Sequence, residues 1–380
     1  MTDGPKARAR DLGVAIGLLP TGPLNAITDV AGVRVGHATL IDGEGDLRPG
    51  SGPVRTGVTV VVGHDGGPAT ALYAGSHTLN GNGEMTGLEW LREAGVLTTP
   101  IALTNTHSVG VVRDALIAAE AADRAGAELA WALPVVAETW DGMLSDINGQ
   151  HVRPEHLLAA LADARTGPVA EGNVGGGTGM VCHEFKGGIG SSSRVVEHEA
   201  VRFTVGVLVQ ANQGRRERLT IAGVDVGRRL PLSAIPSPYR SPASAPGGSI
   251  IAIVATDAPL LPHHCRALAE RAGLGVARTG GAGERTSGDI FLCFSTANRL
   301  ALDSAGVSFV AEGVAIGRPA VLSDRSVSEL YWAVIEATEE AIVNALVAAE
   351  TMVGRDGITA HALPHDELRA MMAGRAAMGR

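Results

Sequence analysis

A chain of 380 residues, 45% hydrophobic and 19% charged, is long enough to bury a full core and too apolar to remain disordered. A net charge of −9, 3% aromatic residues and no basic stripe leave neither the phosphate-neutralising charge nor the stacking rings that nucleic-acid binding needs. The three cysteines, Cys182, Cys265 and Cys293, give no disulfide framework. The apolar stretch Leu12–Leu19 is cut by Pro20 and makes a poor signal peptide, and no run reaches the roughly eighteen residues of a membrane span, so a reducing, cytoplasmic setting is expected.

Along the chain, the β-branched run Val58–Val62 predicts a buried strand. Leu88–Ala94 and Val109–Ala125 predict helices, the second opened by Ser108 as N-cap. Leu129–Thr139 reads as a second long strand, and Pro154 suits the first turn of a helix over His156–Ala164. Phe203–Gln210 is a third strong strand. From Leu230 to Gly248 five prolines among serines and alanines can continue neither a helix nor an inner strand, so this stretch reads as an exposed loop.

Ser249–Thr256 then begins a strand with no polar lead-in. A helix over Pro262–Ala272, stopped by Gly273, and a strand over Ile290–Ser295 follow. A long helix is expected from Val327 to Val353. Ser326 and Glu329 have capping-box spacing there, and Leu330, Val334, Ala337, Ala341 and Ala345 lie on one face. Strong strands mixed with amphipathic helices point to a layered α/β fold in a single domain.

The most informative junction is Pro246-Gly247-Gly248-Ser249-Ile250. Two glycines clear the carbonyl of residue 248 and permit backbone angles closed to other residues. The Ser249 hydroxyl could attack that carbonyl and exchange amide for ester. Hydrolysis would then leave Ser249 with a free α-amine of unperturbed pKa about 7.7–8.0, able to accept the proton of its own hydroxyl. Taken alone, the same residues read as a flexible linker ending at a strand.

Three further segments add weight. Ser287 and Asp289, two apart in an extended run, share a face, which allows a carboxylate to back a hydroxyl. A turn before a strand also uses such residues. Asn212 ends a strong strand, where its amide could donate to a developing oxyanion or simply bond locally. Glu138, in Glu138-Thr139-Trp140-Asp141, ends another strand and could bind a substrate ammonium or face water.

Two patterns invite other readings. The run Asn173–Met180 (NVGGGTGM) is glycine-rich but lacks the Lys-Ser/Thr ending of a phosphate loop, and is read as a packing turn near the site. His263, His264 and Cys265 cluster in sequence, with Cys182 and His183 elsewhere, but without zinc-ligand spacing. At the start of a helix they are expected to point in different directions, so no metal is expected.

Together these segments resemble, nearly end to end, the S58 peptidase family, which contains the L-aminopeptidase/D-amidase-esterase and the β-peptidyl aminopeptidases. The likeness is carried by ITDVAGVRVGH, VRTGVTVV, NGNGEMTGL, LTNTHSVG, AETWDGMLSDING, EGNVGGGTGM, FKGGIGSSSR, VGVLVQAN, the Gly-Gly-Ser junction and SGDIFLCFSTAN. The resemblance implies a four-layer αββα sandwich similar to N-terminal nucleophile hydrolases but of distinct connectivity. It implies self-cleavage into residues 1–248 and 249–380, and homotetramers of the resulting αβ unit.

It further implies Ser249 as nucleophile, Ser287 as second serine, Asp289 as acidic partner and Asn212 as oxyanion donor, with Glu138 holding the substrate's amino group. Trp140 departs from the Tyr common in members that act on α-amino substrates, and an indole donates a hydrogen bond but accepts none. The expected activity is release of N-terminal residues from small peptides, amides or esters through an acyl-enzyme on Ser249, with no cofactor, nucleic acid or membrane involved. Acyl transfer to an amine on the same fold, and an uncut ligand-binding protein, are the alternatives.

Overall fold

The structure is a computed structural model, and it describes residues 6–63, 70–123, 131–198, 201–239, 248–301 and 319–378. One sheet has four strands, in the order β1 (Arg34–Asp42), β2 (Val54–Val62), β5 (Ile101–Asn105), β6 (Val135–Thr139), with β5 and β6 parallel. The other has six: β4 (Val96–Leu97), β3 (Thr70–Gly81), β14 (Gly288–Ala301), β13 (Gly248–Thr256), β10 (Val201–Gln213) and β9 (Gly188–His198). Its central pair, β13 and β14, is parallel, while β10 runs antiparallel to β13. Short hairpins β7–β8 (Val181–Cys182, Phe185–Lys186) and β11–β12 (Thr220–Ile221, Val224–Asp225) complete the strands used here. The helices are α1 (Leu88–Ala94), α2 (Val109–Asp123), α3 (Pro154–Asp163), α4 (Val226–Arg229), α5 (Pro262–Arg278), α6 (Asp324–Val347) and α7 (His365–Met378).

The alternation of side chains along a strand explains the layering. On β13, Ile251, Ile253 and Ala255 face the other sheet, where they meet Val61, Leu103 and Ala137. Ile250, Ala252 and Val254 face the opposite way, onto Leu268 and Ala272 of α5 and Ala341 of α6. Burial on both faces is why this strand is a continuous apolar run. Across the four-stranded sheet, Val58, Val60, Ala102 and Val136 point away from the inter-sheet core, onto Val112 and Leu116 of α2 and Leu157 of α3. The result is the αββα order expected from the resemblance. Among the described residues, no helix is long and apolar enough to cross a membrane.

Several boundaries differ from the sequence expectation. A short 3-10 turn over Thr106–Ser108 precedes α2, and Asn105, not Ser108, supplies the cap by accepting the His107 N–H. The predicted strand Leu129–Thr139 contracts to Val135–Thr139; residues 129 and 130, like 124 and 125 of the preceding helix, lie outside the described residues. Helix α5 runs past Gly273 to Arg278, because Gly275 lies against Ile335 and Thr338 of α6 and tertiary packing overrides the weak glycine stop. Helix α6 starts at Asp324 after Ser323, which places Ser326 inside its first turn, and it ends at Val347. Of the Pro-rich stretch, 231–239 is irregular and 240–247 lies outside the described residues.

Helix α6 is buried around most of its circumference, so its acidic residues need partners in the core. Glu340 accepts from buried Arg194 at 2.6 Å and from Arg10 at 2.8 Å, and Arg194 also pairs with Glu336 at 3.2 Å. Burial pushes the Glu340 carboxyl up, but the Arg10 hydrogen bond and the charges of Arg194 and Arg10 outweigh it and hold it below its ordinary value of 4.5. Its stabilising contribution is therefore complete above that unfolded value and is lost as the pH falls through the lower folded one. Glu340→Ala takes from Arg10 its carboxylate partner and leaves Arg194 only Glu336, and is expected to cost about 3–5 kcal/mol in urea denaturation. In Glu340→Gln, the part of the acid destabilisation that belongs to this carboxyl should be missing from a stability–pH curve.

Candidate active site

Strand register brings the predicted residues together. Ser249 stands opposite Asn212 across the β10–β13 pair, and Ile250 stands opposite Asp289 across β13–β14. Gly248 has φ +72°, and a Cβ there would fall 1.9 Å from the Asn212 carbonyl oxygen. Both the backbone angle and the close approach therefore demand glycine immediately before the serine.

Ser249 is buried, and its Oγ accepts the Gly288 N–H at 3.0 Å. Two residues on either side of that N–H form a second unit. Ser287 Oγ donates to Asp289 Oδ1 at 2.5 Å, with both side chains buried. Burial pushes the Asp289 carboxyl up, and hydrogen bonds from Ser287 and the Ile250 backbone oppose it.

The Asn212 carboxamide is held at both ends. Its Oδ1 accepts the Val181 N–H at 2.7 Å, and its Nδ2 donates to the Trp140 carbonyl at 3.1 Å. Trp140 thus enters the site through its backbone, while its indole lies over Gly142, where a Cβ would come 2.5 Å from the ring.

Glu138 is buried at the end of β6. Its Oε1 accepts the Glu84 N–H at 2.9 Å and its Oε2 accepts the Thr106 hydroxyl. Burial pushes this carboxyl up, against both hydrogen bonds. Gly83 joins the two halves of the site. A Cβ there would lie 3.0 Å from Gly288 Cα and 3.2 Å from Glu138 Oε1. One glycine therefore separates the Glu138 carboxylate from the backbone that holds the Ser249 hydroxyl.

The structure thus gathers Ser249, Ser287, Asp289, Asn212, Glu138 and Trp140 in one place. Sequence reasoning did not assign Gly288, Gly83, Thr106 and Val181, which act through backbone groups or as partners of partners. It also passed over Asp141, which is fully buried beside Thr56 and Asn105. Burial pushes this carboxyl up to about 7, with the nearby Glu138 charge adding to the shift.

The glycine-rich run does serve as a packing turn. Gly176 abuts the Leu103 carbonyl and Gln210, and Gly177 abuts Gly188. The expectation that His263 and His264 diverge is corrected: their rings lie 3.9 Å apart, and with Asp324 they offer ligand atoms within 4.8 Å of one another. The donor set nevertheless suits a hydrogen bond from the imidazole to Asp324 better than a metal. His264 Nε2 meets Asp324 Oδ1 at 3.0 Å, while its Nδ1 faces the Leu261 N–H at 3.4 Å. A metal on Nε2 would put a proton on Nδ1, pointed at another donor. Cys265 turns away and donates to the Tyr73 carbonyl at 3.6 Å.

With this geometry in view, comparison with known proteins is decisive for class. The sequence model of peptidase family S58 matches residues 25–360. The β-peptidyl aminopeptidase BapA of Sphingosinicella microcystinivorans is 52% identical over 97% of this chain and 92% of its own length. A β-aminopeptidase from Burkholderia sp. has 51% identity and a TM-score of 0.88, covering 97% of this chain and 99% of that one. The L-aminopeptidase D-Ala-esterase/amidase from Ochrobactrum anthropi has 41% identity and a TM-score of 0.87, covering 98% of this chain and 99% of that one. That structure is described as a prototype for the serine aminopeptidases and a new variant among the Ntn hydrolase fold. The chain belongs to peptidase family S58. It is a hydrolase of the aminopeptidase class, built on the same variant of the Ntn fold.

A direct check of the geometry is Gly288→Ala. The new Cβ would lie 2.6 Å from Asn82 O and from Gly83 Cα, so the N–H that holds Ser249 must move. Aminopeptidase turnover is expected to fall about 100-fold, the size of effect a misplacement of about 1 Å produces. Steady-state kinetics on the folded variant decides it.

Proposed function

We propose that this protein cuts its own chain between Gly248 and Ser249 and then works as an N-terminal serine aminopeptidase, made of residues 1–248 and 249–380. One observation carries the reading. Ser249 lies between the Asn212 carboxamide and the Ser287–Asp289 pair, with Glu138 one glycine away.

In maturation, the Ser249 hydroxyl oxygen attacks the Gly248 carbonyl carbon. The C–N bond breaks as the C–O bond forms, and the proton passes to the departing nitrogen. Water then hydrolyses the ester, leaving a Gly248 carboxylate and a free Ser249 amine. In turnover, that amine in its neutral form takes the hydroxyl proton as the oxygen attacks the substrate carbonyl. The Asn212 Nδ2 group, steadied by Val181, donates to the tetrahedral oxyanion.

The leaving amine departs with the proton, and water releases the acyl group from Ser249. Ser287 and Asp289 orient the amine. The Glu138 carboxylate pairs with the substrate ammonium, which confines the enzyme to substrates with a free amino terminus. The names of the relatives, together with an indole at Trp140, favour N-terminal β-amino residues as the preferred acyl group.

Ser249→Ala is expected to give one band at 38.8 kDa on a denaturing gel, with no hydrolysis of a β-aminoacyl anilide. Division of that variant after Gly248 would rule the scheme out. Glu138→Gln removes the charge facing the ammonium and is expected to raise KM about 10- to 100-fold, the weight of one hydrogen bond to a charged group. Comparing free with N-acetylated substrate in that variant checks whether selection for the free amine is lost.

A further inference from the structure

Lys186 is wholly buried on β8. Its Nζ donates to the carbonyls of Gly187 at 2.8 Å and Gly177 at 3.2 Å. Among the described residues, no carboxylate pairs with it. Burial pushes its amine down to about 7, with the Lys6 charge adding to the shift and Cys182 opposing it. An ionisable side chain in a dry interior without a counter-charge is costly, and an apolar side chain of similar length would fill the space at less cost. Stability alone does not explain a lysine here.

Its connections lead to the oxyanion side of the site. Lys186 is the hairpin partner of Val181, and the Val181 N–H holds Asn212 Oδ1. The Gly187 N–H donates back to Met180 O at 2.8 Å, immediately before Val181 in sequence. Gly177 belongs to the packing turn wedged between the sheets. The Lys186 head group thus ties that rigid turn to the hairpin from which Asn212 hangs.

We propose that Lys186 is a positioning residue for the Asn212 carboxamide, fixing the direction of its Nδ2–H by fastening the Val181 hairpin to the Gly177 turn. This rests on the reading of Ser249 and Asn212 given above. Without the tether, the hairpin keeps its strand pairing but the carboxamide loses its fixed pivot. Transition-state stabilisation then falls, while substrate binding at Glu138 is untouched.

The test is Lys186→Met in the full-length protein, with rates normalised by mass spectrometry to the amount of chain beginning at Ser249. The expected result with a β-aminoacyl anilide is a kcat loss of about 10- to 100-fold. KM should stay within roughly twofold, and the melting temperature should be unchanged or raised. In an Asn212→Ala background the same substitution should cost less than about twofold, because the group it positions is gone.

Wild-type kcat in Lys186→Met, or an equal fold-loss with and without Asn212, overturns the proposal. If Lys186→Met does not fold, Lys186→Gln, too short to bridge both carbonyls, should show the same kcat loss; wild-type kcat there overturns it equally. The two levels of failure separate cleanly. Activity surviving in Ser249→Ala defeats the mechanism as a whole. An inactive Ser249→Ala beside a fully active Lys186→Met defeats only the role of Lys186.

Discussion

The site depends on a close approach of two backbones at the start of β13. A strand that is apolar on both faces has little in its side-chain pattern to set its register, because a slip of one residue exchanges one buried aliphatic for another. Backbone contact supplies the missing constraint. Gly248 sits so close to Asn212 O that no side chain fits, and its positive φ turns the chain into the strand at that point. The pairing of Asn212 with Ser249 follows, as does the pairing of Ile250 with Asp289 on the other side. Similar contacts seat the outer helices: Gly190 lies against the Ala341 carbonyl of α6, and Gly75 against the Arg266 nitrogen of α5. The high glycine content of the sequence is in large part this tight layering.

Buried charge serves two different ends in this fold. Arg194, Glu336 and Glu340, joined by Arg10 and by Asn25, form a satisfied cluster that holds the N-terminal segment, β9 and α6 together. Arg8 extends the same seam through Glu171. If the chain is divided after Gly248, the contacts of Arg10, Asn25 and Arg194 with Glu336 and Glu340 cross between the two products and would hold the layers together, whereas Arg8–Glu171 lies within the first. Lys186 has no such compensation, and its partners are carbonyl dipoles instead of carboxylates. The ionic seam is matched charge for charge, whereas the Lys186 amine is held by carbonyls beside the hairpin that contacts Asn212.

The sequence was most legible where one physical rule dominated. Val58–Val62 and Ser249–Thr256 announced themselves as buried strands because burial on both faces leaves a continuous apolar run. Ser287 and Asp289 were paired correctly because extended chain has a fixed two-residue period. Legibility failed where a distant segment decided the outcome. Gly273 signalled a helix stop that contact with α6 overrode. The closeness of His263 and His264 could not be read from their spacing, since rotamers bring the rings together beside Asp324. Gly288, Thr106 and Val181 contribute through an N–H, a hydroxyl on a partner, or an N–H on a partner. Such roles exist only once the sheets are assembled.

Three carboxyls of the candidate site, Glu138, Asp141 and Asp289, are all pushed up by burial, yet they occupy different surroundings. Glu138 accepts a backbone N–H and a hydroxyl, which sustain a charge ready to meet an ammonium. Asp289 is engaged by Ser287, so its charge is spent locally. Asp141, in the driest position, is held up to about 7 and adds less than a full negative charge at neutrality. A proton-accepting amine on Ser249 has to stay largely neutral, and a bare carboxylate against it would stabilise its protonated form. Under the proposed scheme the Glu138 carboxylate faces the substrate's amino group, and Ser249 lies beside a carboxyl already satisfied by a hydroxyl. The same desolvation that raises the acids lowers an amine, which favours the neutral form the proposed chemistry asks of Ser249, while at Glu138 it is the two hydrogen bonds that work for the charged form against burial.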